Sequence, residues 1–359
     1  MPVLASDSLS RFIDPEDGYL DVSGSLNQGG FIPVPIIITE PAVEGGIGVA
    51  GQFIHPSTTP GVAPGRTIAG GAYTGNGSWG GGLLRQGTLA EGQWLYRFGL
   101  GVADVTLPIF PFGGSNEVDY RNAMKFAFGN IRYKVPETSF SVGPRFIYRT
   151  SDVSLSTQGP LADRVNTVID RFAEEQQYTA LGLSLNYDTR DNPFSPTQGI
   201  NAIFSVDVYS DAFGGDREFT AAQLDIHAFQ RLDDMWSLGA MVSLSNVSDA
   251  APFFMSPGVN LRGVQSGRYQ GDTALSMEAE LRRQLTPRWA VVVFGGYGQT
   301  FVNNTRLYEA QDNIWTYGAG IRYRIADKLG IDVGLDVARG PEDTTFYIQF
   351  GHAWARTMD

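Results

Sequence analysis

The chain has 359 residues, of which 44 are glycine and none is cysteine. Charged residues make up 18 % of the chain, below the ~25 % of ordinary soluble domains. The 26 basic and 38 acidic side chains give a net charge of −12, which excludes an electrostatic footprint for nucleic acid. Without cysteine, and with only three widely separated histidines, the sequence predicts no metal site and no cofactor.

Residues 1–40 are Pro-rich and weakly periodic, and we interpret them as a periplasmic or lumenal N-terminal segment, with a solvated linker as the alternative. Their start lacks the basic region and apolar core of an export signal. The apolar runs Phe31 to Thr39 and Ala290 to Phe294 are far shorter than the ~18 residues of a transmembrane helix. Strands that alternate apolar and polar residues cross a bilayer without such a run, so alternation decides the fold class.

Short segments of alternating polarity fill the rest of the chain. The predicted strands are 42–55, 66–75, 77–88, 92–107, 121–134, 138–150, 178–190, 199–209, 217–231, 235–246, 272–285, 288–302, 313–326, 329–338 and 343–354. A barrel whose two chain ends face the same side of the membrane needs an even number of strands. We therefore expect sixteen, with Phe31 to Ile38 or part of Ser151 to Gln177 supplying the missing strand; fourteen would follow if 66–88 were one strand.

The faces and connections of these strands indicate a membrane barrel. In 313–326, aromatic and aliphatic residues share one face, while glycines and arginines occupy the other. Short connections such as Pro136-Glu137 alternate with long ones at about 108–120, 151–176 and 247–271. Because outer-membrane barrels combine short periplasmic turns with longer external loops, the sequence predicts an all-β fold, a transmembrane antiparallel β-barrel in the bacterial outer membrane.

Two segments carry more information than this alternation. The first, Tyr187 to Gly199, reads as a strand end, a turn punctuated by proline and a restart at glycine. Its characteristic residues are Asp188, Arg190, Asp191, Pro196 and Gly199. The second is Leu261-Arg262-Gly263-Val264 in the longest late loop, where an arginine between apolar residues precedes a glycine that permits a tight bend. This order favours burial of the arginine against acidic side chains.

These segments resemble the BamA-like outer-membrane assembly and secretion barrels of Gram-negative bacteria, also known as the bacterial surface antigen family. The strand Glu280-Leu281-Arg282 and the run Gly318 to Trp354 match as well, and the resemblance is most specific over 177–359. Upstream, Phe31 to Ala42 looks like the leading segment of short family members. The resemblance implies a sixteen-stranded barrel at 41–359 whose sixth external loop folds into the lumen and is anchored there by Arg262 and Gly263.

The acidic partners of this arginine are expected among lumenal residues. Strand parity places four acids inside: Asp336 as the first choice, and then Asp332, Glu278 and Glu280. In family members the partner acid often lies on the strand that follows the loop's own, where this chain reads Phe294-Gly295-Gly296-Tyr297-Gly298. This run contains no acid, so the four lumenal acids are the candidate partners of Arg262.

The seam between the first and last strands is expected to be weak. Val43 to Gly51, with Gly45, Gly46 and Gly48, is predicted as the first strand, although glycine also suits tight curvature. The last strand carries Phe350 and Trp354, which we expect to face lipid. An open seam exposes unpaired backbone that templates an incoming strand.

The resemblance implies a barrel that assists insertion or translocation of proteins or lipids across the outer membrane. Periplasmic (POTRA) repeats of ~75 residues do not fit into the 40 residues before the predicted barrel, so we expect a periplasmic partner protein to replace them. Outer-membrane lipids including lipopolysaccharide, and a second copy of the chain, are further expected partners. The alternatives are a passive or gated pore plugged by the Arg262 loop, or a structural anchor of an envelope complex. An enzyme is not expected, because no His–Asp–Ser set converges on one predicted rim.

Overall fold

One sheet of sixteen antiparallel strands makes up almost the whole molecule. The computed structural model describes residues 13–14, 17–23, 30–55, 65–113, 117–155, 159–169, 175–303 and 307–354. The first eight strands are β1 (Gly30–Ile38), β2 (Gly46–His55), β3 (Gly65–Thr74), β4 (Trp79–Leu89), β5 (Trp94–Ile109), β6 (Val118–Lys134), β7 (Phe140–Leu155) and β8 (Gln176–Asp188). The second eight are β9 (Gly199–Tyr209), β10 (Phe219–Arg231), β11 (Trp236–Val247), β12 (Thr273–Gln284), β13 (Trp289–Phe301), β14 (Ile314–Ala326), β15 (Ile331–Arg339) and β16 (Thr344–Phe350).

The sheet curls into a nearly closed barrel in which each strand pairs with its neighbours in the chain. We call the end that carries the β1–β2 and β11–β12 connections the loop end, and the opposite end, where β1 begins, the turn end. The helix α1 (Pro160–Ile169) lies in the β7–β8 connection at the loop end. No helix in the described part of the chain is long and apolar enough to span a membrane.

The predicted count of sixteen strands is confirmed, and the structure identifies the strand that was missing. Gly30–Ile38 is β1, whereas the described residues of the segment 151–177 form the end of β7, α1 and the start of β8, and no additional strand. The alternative of fourteen strands is wrong because 66–88 divides into β3 and β4. The predicted boundary at residue 40 therefore assigns β1 to the N-terminal segment, although this strand pairs with β2 along its whole length.

The outer face of the barrel is apolar and carries aromatic pairs at both ends. Trp94 and Tyr133 have ring centroids 5.0 Å apart at the turn end, and Tyr297 and Trp315 are 4.8 Å apart at the loop end. Between these ends the exposed side chains are aliphatic and aromatic, including Ile47, Leu183, Phe204, Val293 and Leu335. Such a band, flanked by aromatic residues, is what a lipid-facing surface requires.

The glycine-rich β2 is the second strand, so the prediction that Gly45, Gly46 and Gly48 belong to the first strand at the seam is wrong. Gly45 lies in the β1–β2 connection, and the other two are in β2. A Cβ atom on Gly48 would approach the carbonyl oxygen of Gly71 in β3 to 2.5 Å. Glycine therefore permits close approach of two strands within the sheet. This agrees with the alternative given above, that glycine suits a tightly curved sheet.

Three connections pack together at the loop end. Ile109 and Val118 of the barrel wall form one buried cluster with Val165 of α1, Phe253 of the β11–β12 connection and Leu307 of the β13–β14 connection. The β11–β12 connection continues from this cluster into the lumen.

Candidate functional site

The β11–β12 connection is the sixth connection at the loop end, and it folds into the barrel. The backbone N–H of Val259 donates to the carbonyl oxygen of Tyr269 at 2.9 Å, which closes the loop on itself. The N–H of Asn260 donates to Ser276 Oγ on β12 at 2.9 Å, and the N–H of Gly263 donates to the hydroxyl of Tyr347 on β16 at 2.8 Å. The tip is therefore fixed to two strands of the wall.

Gly263 is required at this tip by its backbone conformation. Its φ is +95°, and a Cβ atom would lie 2.9 Å from the backbone nitrogen of Gly340. A side chain would be strained both by its own backbone and by the β15–β16 connection. The glycine after Arg262 thus permits the bend that points the arginine toward the lumenal acids.

Arg262 lies in a cage of three carboxylates and one aromatic ring, which we call the Arg262 cage. Nη2 is 2.7 Å from Glu278 Oε1, and Nη1 is 2.8 Å from both Glu280 Oε2 and Asp336 Oδ2. The guanidinium carbon lies 3.4 Å from the ring centroid of Phe294. The arginine side chain is 7 % exposed and its three acidic partners 3 % or less, so the ions have exchanged water for one another.

The three acids converge because of strand periodicity. Glu278 and Glu280 are two residues apart on β12, and Asp336 occupies an inward position of β15, with β13 and β14 between the two strands. Alternate residues of a strand face the same side, so these carboxylates all enter the lumen. Phe294 of β13, the strand that follows β12, contributes its ring face to the guanidinium.

A second arginine shares these acids. Arg322 of β14 hydrogen-bonds Asp336 through Nη1, and its Nη2 lies 3.5 Å from Glu280 Oε2. The fourth predicted acid, Asp332, lies nearer the turn end, where it pairs with Arg282 at 2.5 Å and with Arg324 at 2.6 Å. Asp332 is therefore part of a separate ion-pair group, and the structure does not bring it to Arg262.

The chain turns inward after β16, so the prediction that Trp354 faces lipid is wrong. Gly351 has φ +73°, and its N–H donates to the carbonyl oxygen of Asp332 at 2.8 Å. Trp354 is 5 % exposed, and its indole Nε1–H donates to Glu278 Oε1 at 2.7 Å. We call Gly351 to Trp354 the C-terminal tail; it covers the Arg262 cage from the turn end.

Histidine and aromatic rings surround this tail. His352 Nε2 is 3.3 Å from Glu280 Oε1, and its ring centroid is 4.4 Å from that of Trp354. Phe229 of β10 packs 5.8 Å from Trp354 between ring centroids. Alternation in the sequence did not predict that Trp354 lies inside the barrel. The alternating pattern continues past Gly351 and therefore assigns Trp354 to the outer face of the last strand.

The predicted Asp-Arg turn connects β8 and β9 at the turn end. Asp188 accepts from Arg190 at 2.7 Å, and Asp191 accepts from the Thr197 hydroxyl at 2.7 Å. Pro196 is buried, and Gly199 has φ +102°. The five predicted residues therefore form one rigid corner that is closed by internal hydrogen bonds.

This corner contacts a distant part of the sheet, near the start of β15 and the end of β16. Asn192 Nδ2 donates to the carbonyl oxygen of Leu329 at 2.9 Å. The N–H of His352 donates to the carbonyl oxygen of Phe194 at 2.7 Å. The Ser195 hydroxyl accepts from the N–H of Asp332 at 3.2 Å. The corner thus fastens the C-terminal tail and the start of β15.

A contact that the sequence analysis did not predict joins the N-terminal segment to the turn end. Arg288, in the β12–β13 connection, is 3 % exposed and binds Asp14 at 2.5 Å, Asp17 at 2.5 Å and Asp21 at 2.6 Å. The N–H of Val22 also donates to the carbonyl oxygen of Ile325 at 2.8 Å. We call this group the Arg288 clamp. Acids three and four residues apart were visible in the sequence, but nothing there indicated their partner.

The order of strands in the sheet ends at β1 on one side and at β16 on the other. β1 pairs only with β2 and β16 only with β15 among the described residues. The last strand therefore contains Phe350 as predicted, whereas the first begins sixteen residues before Gly46. We call the β1–β16 boundary the seam.

Comparison with known proteins decides the family. The Omp85 superfamily domain matches residues 115–354, which is more than half of the chain. This chain belongs to the Omp85 superfamily. It is a BamA-like β-barrel of the bacterial outer membrane, and the predicted family, fold class and location are confirmed. A search of the curated proteins finds no match.

Solved structures show the same Omp85 fold at low sequence identity. BamA from Haemophilus ducreyi lacking POTRA domains 1–3 is 12 % identical, with a TM-score of 0.64 over 90 % of this chain and 70 % of that chain. CdiB from Escherichia coli is 11 % identical, with a TM-score of 0.63 over 89 % of this chain. CdiB from Acinetobacter baumannii is 11 % identical, with a TM-score of 0.59 over 90 %. The chain spans 62 % and 59 % of the two CdiB chains.

Proposed function

We propose that this Omp85 barrel assists the insertion of proteins into, or the translocation of proteins or lipids across, the outer membrane. The observation that carries the proposal is the seam: fifteen strand pairs join the sixteen strands, and the β1 and β16 edges have no partner among the described residues. Barrels ordinarily abolish free edges, because unpaired backbone groups are costly in hydrocarbon. A seam that opens sideways supplies both a path into the lipid and a template for a strand. The proposal includes no catalytic step.

The lumenal contacts support a sideways path. The β11–β12 connection and the C-terminal tail occupy the lumen. The Arg262 cage fastens them to β12 and β15, and backbone N–H groups of the connection bond to Ser276 on β12 and Tyr347 on β16. A route along the barrel axis would have to displace buried ion pairs, whereas a route through the seam leaves them intact. The cage then serves to keep β12 to β16 rigid while the seam opens.

A cross-linked seam tests the proposal, and the absence of native cysteine makes the experiment clean. Cysteines at Ile37 and Phe346, one on each edge, are joined with a flexible bismaleimide. The control joins Ile47→Cys to Tyr73→Cys, which already face each other on the paired strands β2 and β3. The barrel is reconstituted in vesicles, and the folding of a urea-unfolded eight-stranded outer-membrane barrel is followed by its heat-dependent gel shift.

We expect the uncross-linked protein and the control to accelerate folding of the added barrel, and the seam cross-link to abolish the acceleration. Equal acceleration with and without the seam cross-link would contradict the proposal. So would a rate in the uncross-linked protein that is no faster than in empty vesicles.

The proposal also includes a periplasmic partner, outer-membrane lipids including lipopolysaccharide, and a second copy of the chain as candidate contacts. The apolar outer band is the surface that lipid would cover. Pull-down from the native membrane in mild detergent, followed by mass spectrometry, tests the protein partner. A stoichiometric periplasmic protein is expected, and a solitary barrel would contradict this part of the proposal.

A gated pore is the second candidate, and the loop in the lumen is the observation that favours it. If the β11–β12 connection acts as a plug, Arg262→Ala should free it and raise the conductance of the purified protein in planar bilayers. Silence of both the parent and the variant would contradict a pore and leave insertion or translocation as the proposal.

A further inference from the structure

The two edges of the seam differ in the hydrogen-bonding groups that they present. In an antiparallel ladder the N–H and C=O of one residue point to the same neighbour, and successive residues point to opposite neighbours. The backbone groups of each residue in β1 and β16 therefore point either to the strand already paired or to the free edge. Which residues serve the free edge follows from the hairpins of the same sheet.

Two hairpins at the turn end fix the direction. Leu232 follows β10, is 55 % exposed on the outer face, and its N–H donates to the carbonyl oxygen of Trp236 at the start of β11. Leu285 follows β12, is 54 % exposed, and donates in the same way to Trp289 at the start of β13. In strands that run from the loop end to the turn end, outward residues thus bond to the following strand. In strands that run the other way, outward residues bond to the preceding strand, because reversing a strand reverses its direction of bonding.

This rule assigns the free edge of β1. The strand runs from the turn end to the loop end, and Phe31 and Ile37 face outward with 59 % and 52 % exposure. Residues with their parity point their backbone groups to the seam, while the residues between them bond to β2. Pro33 and Pro35 have this parity and possess no N–H. Only Phe31 and Ile37 donate at this edge, one at each end of the strand.

The free edge of β16 is complete. The strand runs from the loop end to the turn end, and its outward residues point to the seam. These residues are Thr344, Phe346, Ile348 and Phe350, all exposed, and none is proline. The β16 edge thus presents four N–H donors, whereas the β1 edge presents two.

This difference matters most in the middle of the membrane. A strand laid along β1 would have carbonyl groups opposite Pro33 and Pro35 that find no donor, at the centre of the nine-residue strand. Hydrocarbon contains no water to replace the missing donors. A strand laid along β16 meets a donor at every second residue, and natural sheets use proline to blunt an edge in this way.

We propose that β16 is the edge on which this barrel pairs an incoming strand, and that Pro33 and Pro35 blunt β1 so that it neither closes the seam nor captures the strand. The inference rests on the proposed function and names the edge that performs it. The occupant is an extended segment of about seven residues, the length of β16, that runs antiparallel to it. Its alternate residues are apolar, because the outward side chains of β16 beside them are Phe346, Ile348 and Phe350.

The edge of β16 opposite the seam is firmly held. Seven residue pairs join the strand to β15, and the C-terminal tail fixes its end through the contacts of Gly351, His352 and Trp354. β1 pairs with β2 over nine residues, and Glu40, just beyond its end, accepts from the N–H of Ser266. Both strands are therefore held on their paired side, and the difference between the two free edges is in their N–H donors.

Single cysteines on the two edges test the inference. Phe346→Cys and Ile37→Cys place an outward thiol near the loop end of β16 and of β1, and Phe204→Cys on β9, which is paired on both sides, is the control. The added strand is a synthetic peptide with the sequence of β13, Trp289 to Phe301, which carries one cysteine activated as a pyridyl disulfide. Two forms are used: the cysteine follows the C-terminus for trapping on β16 and precedes the N-terminus for trapping on β1, because a peptide antiparallel to each strand brings these ends to the loop end. Disulfide trapping in lipid bicelles is measured by gel shift, and a small maleimide verifies that each thiol is accessible.

We expect trapping at Phe346→Cys to exceed trapping at Ile37→Cys by about tenfold or more, the factor that two backbone hydrogen bonds supply. Trapping at Phe204→Cys should be at background. The double substitution P33V/P35V restores both donors, and the difference between the edges should then disappear. Heat-dependent gel mobility of the double variant shows that the barrel is folded.

The remaining outcomes distinguish a failure of this inference from a failure of the proposed function. Equal or preferred trapping at Ile37→Cys in the parent background would overturn the assignment to β16 while leaving strand capture at the seam intact. A difference that persists in P33V/P35V would overturn the role of the prolines. No trapping at either edge, with both thiols reactive toward maleimide, would overturn strand capture itself and the inference with it.

Discussion

Arg262 and Arg288 each bind three acidic side chains, but the two groups are built from different parts of the chain. The acids of the Arg262 cage, Glu278, Glu280 and Asp336, stand on β12 and β15 inside the barrel. The acids of the Arg288 clamp, Asp14, Asp17 and Asp21, belong to a segment that precedes β1. The cage is formed by the barrel itself, whereas the clamp fastens an additional segment onto it.

The exposure of the acids separates the two groups further. All three acids of the cage are 3 % exposed or less, while Asp14 and Asp17 of the clamp are 20 % and 32 % exposed. Buried ions depend on each other, since removing one takes a counter-charge from the others and no water replaces it. Partly exposed ions retain water as an alternative partner and respond to salt. The cage should therefore govern the stability of the barrel, and the clamp should govern only the docking of the N-terminal segment.

The largest effect is expected from Arg262→Ala, which removes the arginine of Glu278 and leaves Arg322 as the one arginine for Glu280 and Asp336. We expect the free energy of unfolding in urea, followed by tryptophan fluorescence, to fall by ~3–5 kcal/mol. Arg262→Lys should recover only part of this loss, because one ammonium group does not match the planar fork that contacts the acids. Arg121→Ala, which removes a more exposed pair with Asp104, is the control and should leave the free energy of unfolding nearly unchanged. Similar losses at Arg262 and Arg121 would contradict the difference between buried and exposed pairs.

A smaller effect on the cage is expected from Trp354→Phe. The substitution keeps an aromatic ring beside Phe229 and removes the N–H that donates to Glu278. Hydrogen bonds to charged groups contribute ~1.5–3 kcal/mol, so the free energy of unfolding should fall by about that amount. Trp315→Phe, at a lipid-facing position that is 62 % exposed, is the matched control and should leave it nearly unchanged. Equal effects of the two substitutions would place Trp354 outside the cage.

Arg288→Gln should release the N-terminal segment and leave the barrel folded. The readout is hydrogen exchange at the amide of Val22, which donates to the carbonyl oxygen of Ile325 in the docked segment. We expect exchange at this amide to accelerate by about tenfold or more, while amides in the middle of β12 keep their protection. Loss of protection in β12 as well would show that the clamp also supports the barrel.

The smallest effect is a response of the clamp to acid. Hydrogen bonding from Arg288 lowers the pKa of Asp17, and for Asp21 the same arginine and Ser23 lower the pKa against the opposing effect of burial. An acid with a lowered pKa stabilises the docked state above its ordinary pKa of ~3.9, and this contribution is lost as pH falls through the lowered value. Protection of Val22 should therefore be constant from neutral pH to about pH 4 and decrease below it. Unchanged protection in strong acid would contradict docking by these carboxylates.

Alternation in the sequence determined most of the barrel. Because side chains alternate across a strand, fifteen of the sixteen strands and the inward direction of Glu278, Glu280 and Asp336 followed from periodicity alone. The resemblance to the family then indicated Arg262 as the residue that these acids would face. β1 escaped the count because two prolines and a nearly continuous apolar run hide its alternation.

Other features depended on contacts between distant parts of the chain. Periodicity continues through Gly351, so only the tertiary structure showed that a positive φ and bonds to Asp332 and Phe194 turn the tail inward. The partner of the acids at 14, 17 and 21 is more than 260 residues away, and no local pattern connects them. The prolines of β1 were visible from the start, but their meaning required the direction of each backbone group in the sheet. Local side-chain periodicity determines which residues face lipid, whereas the closure of the sheet determines which backbone groups are left to meet a partner.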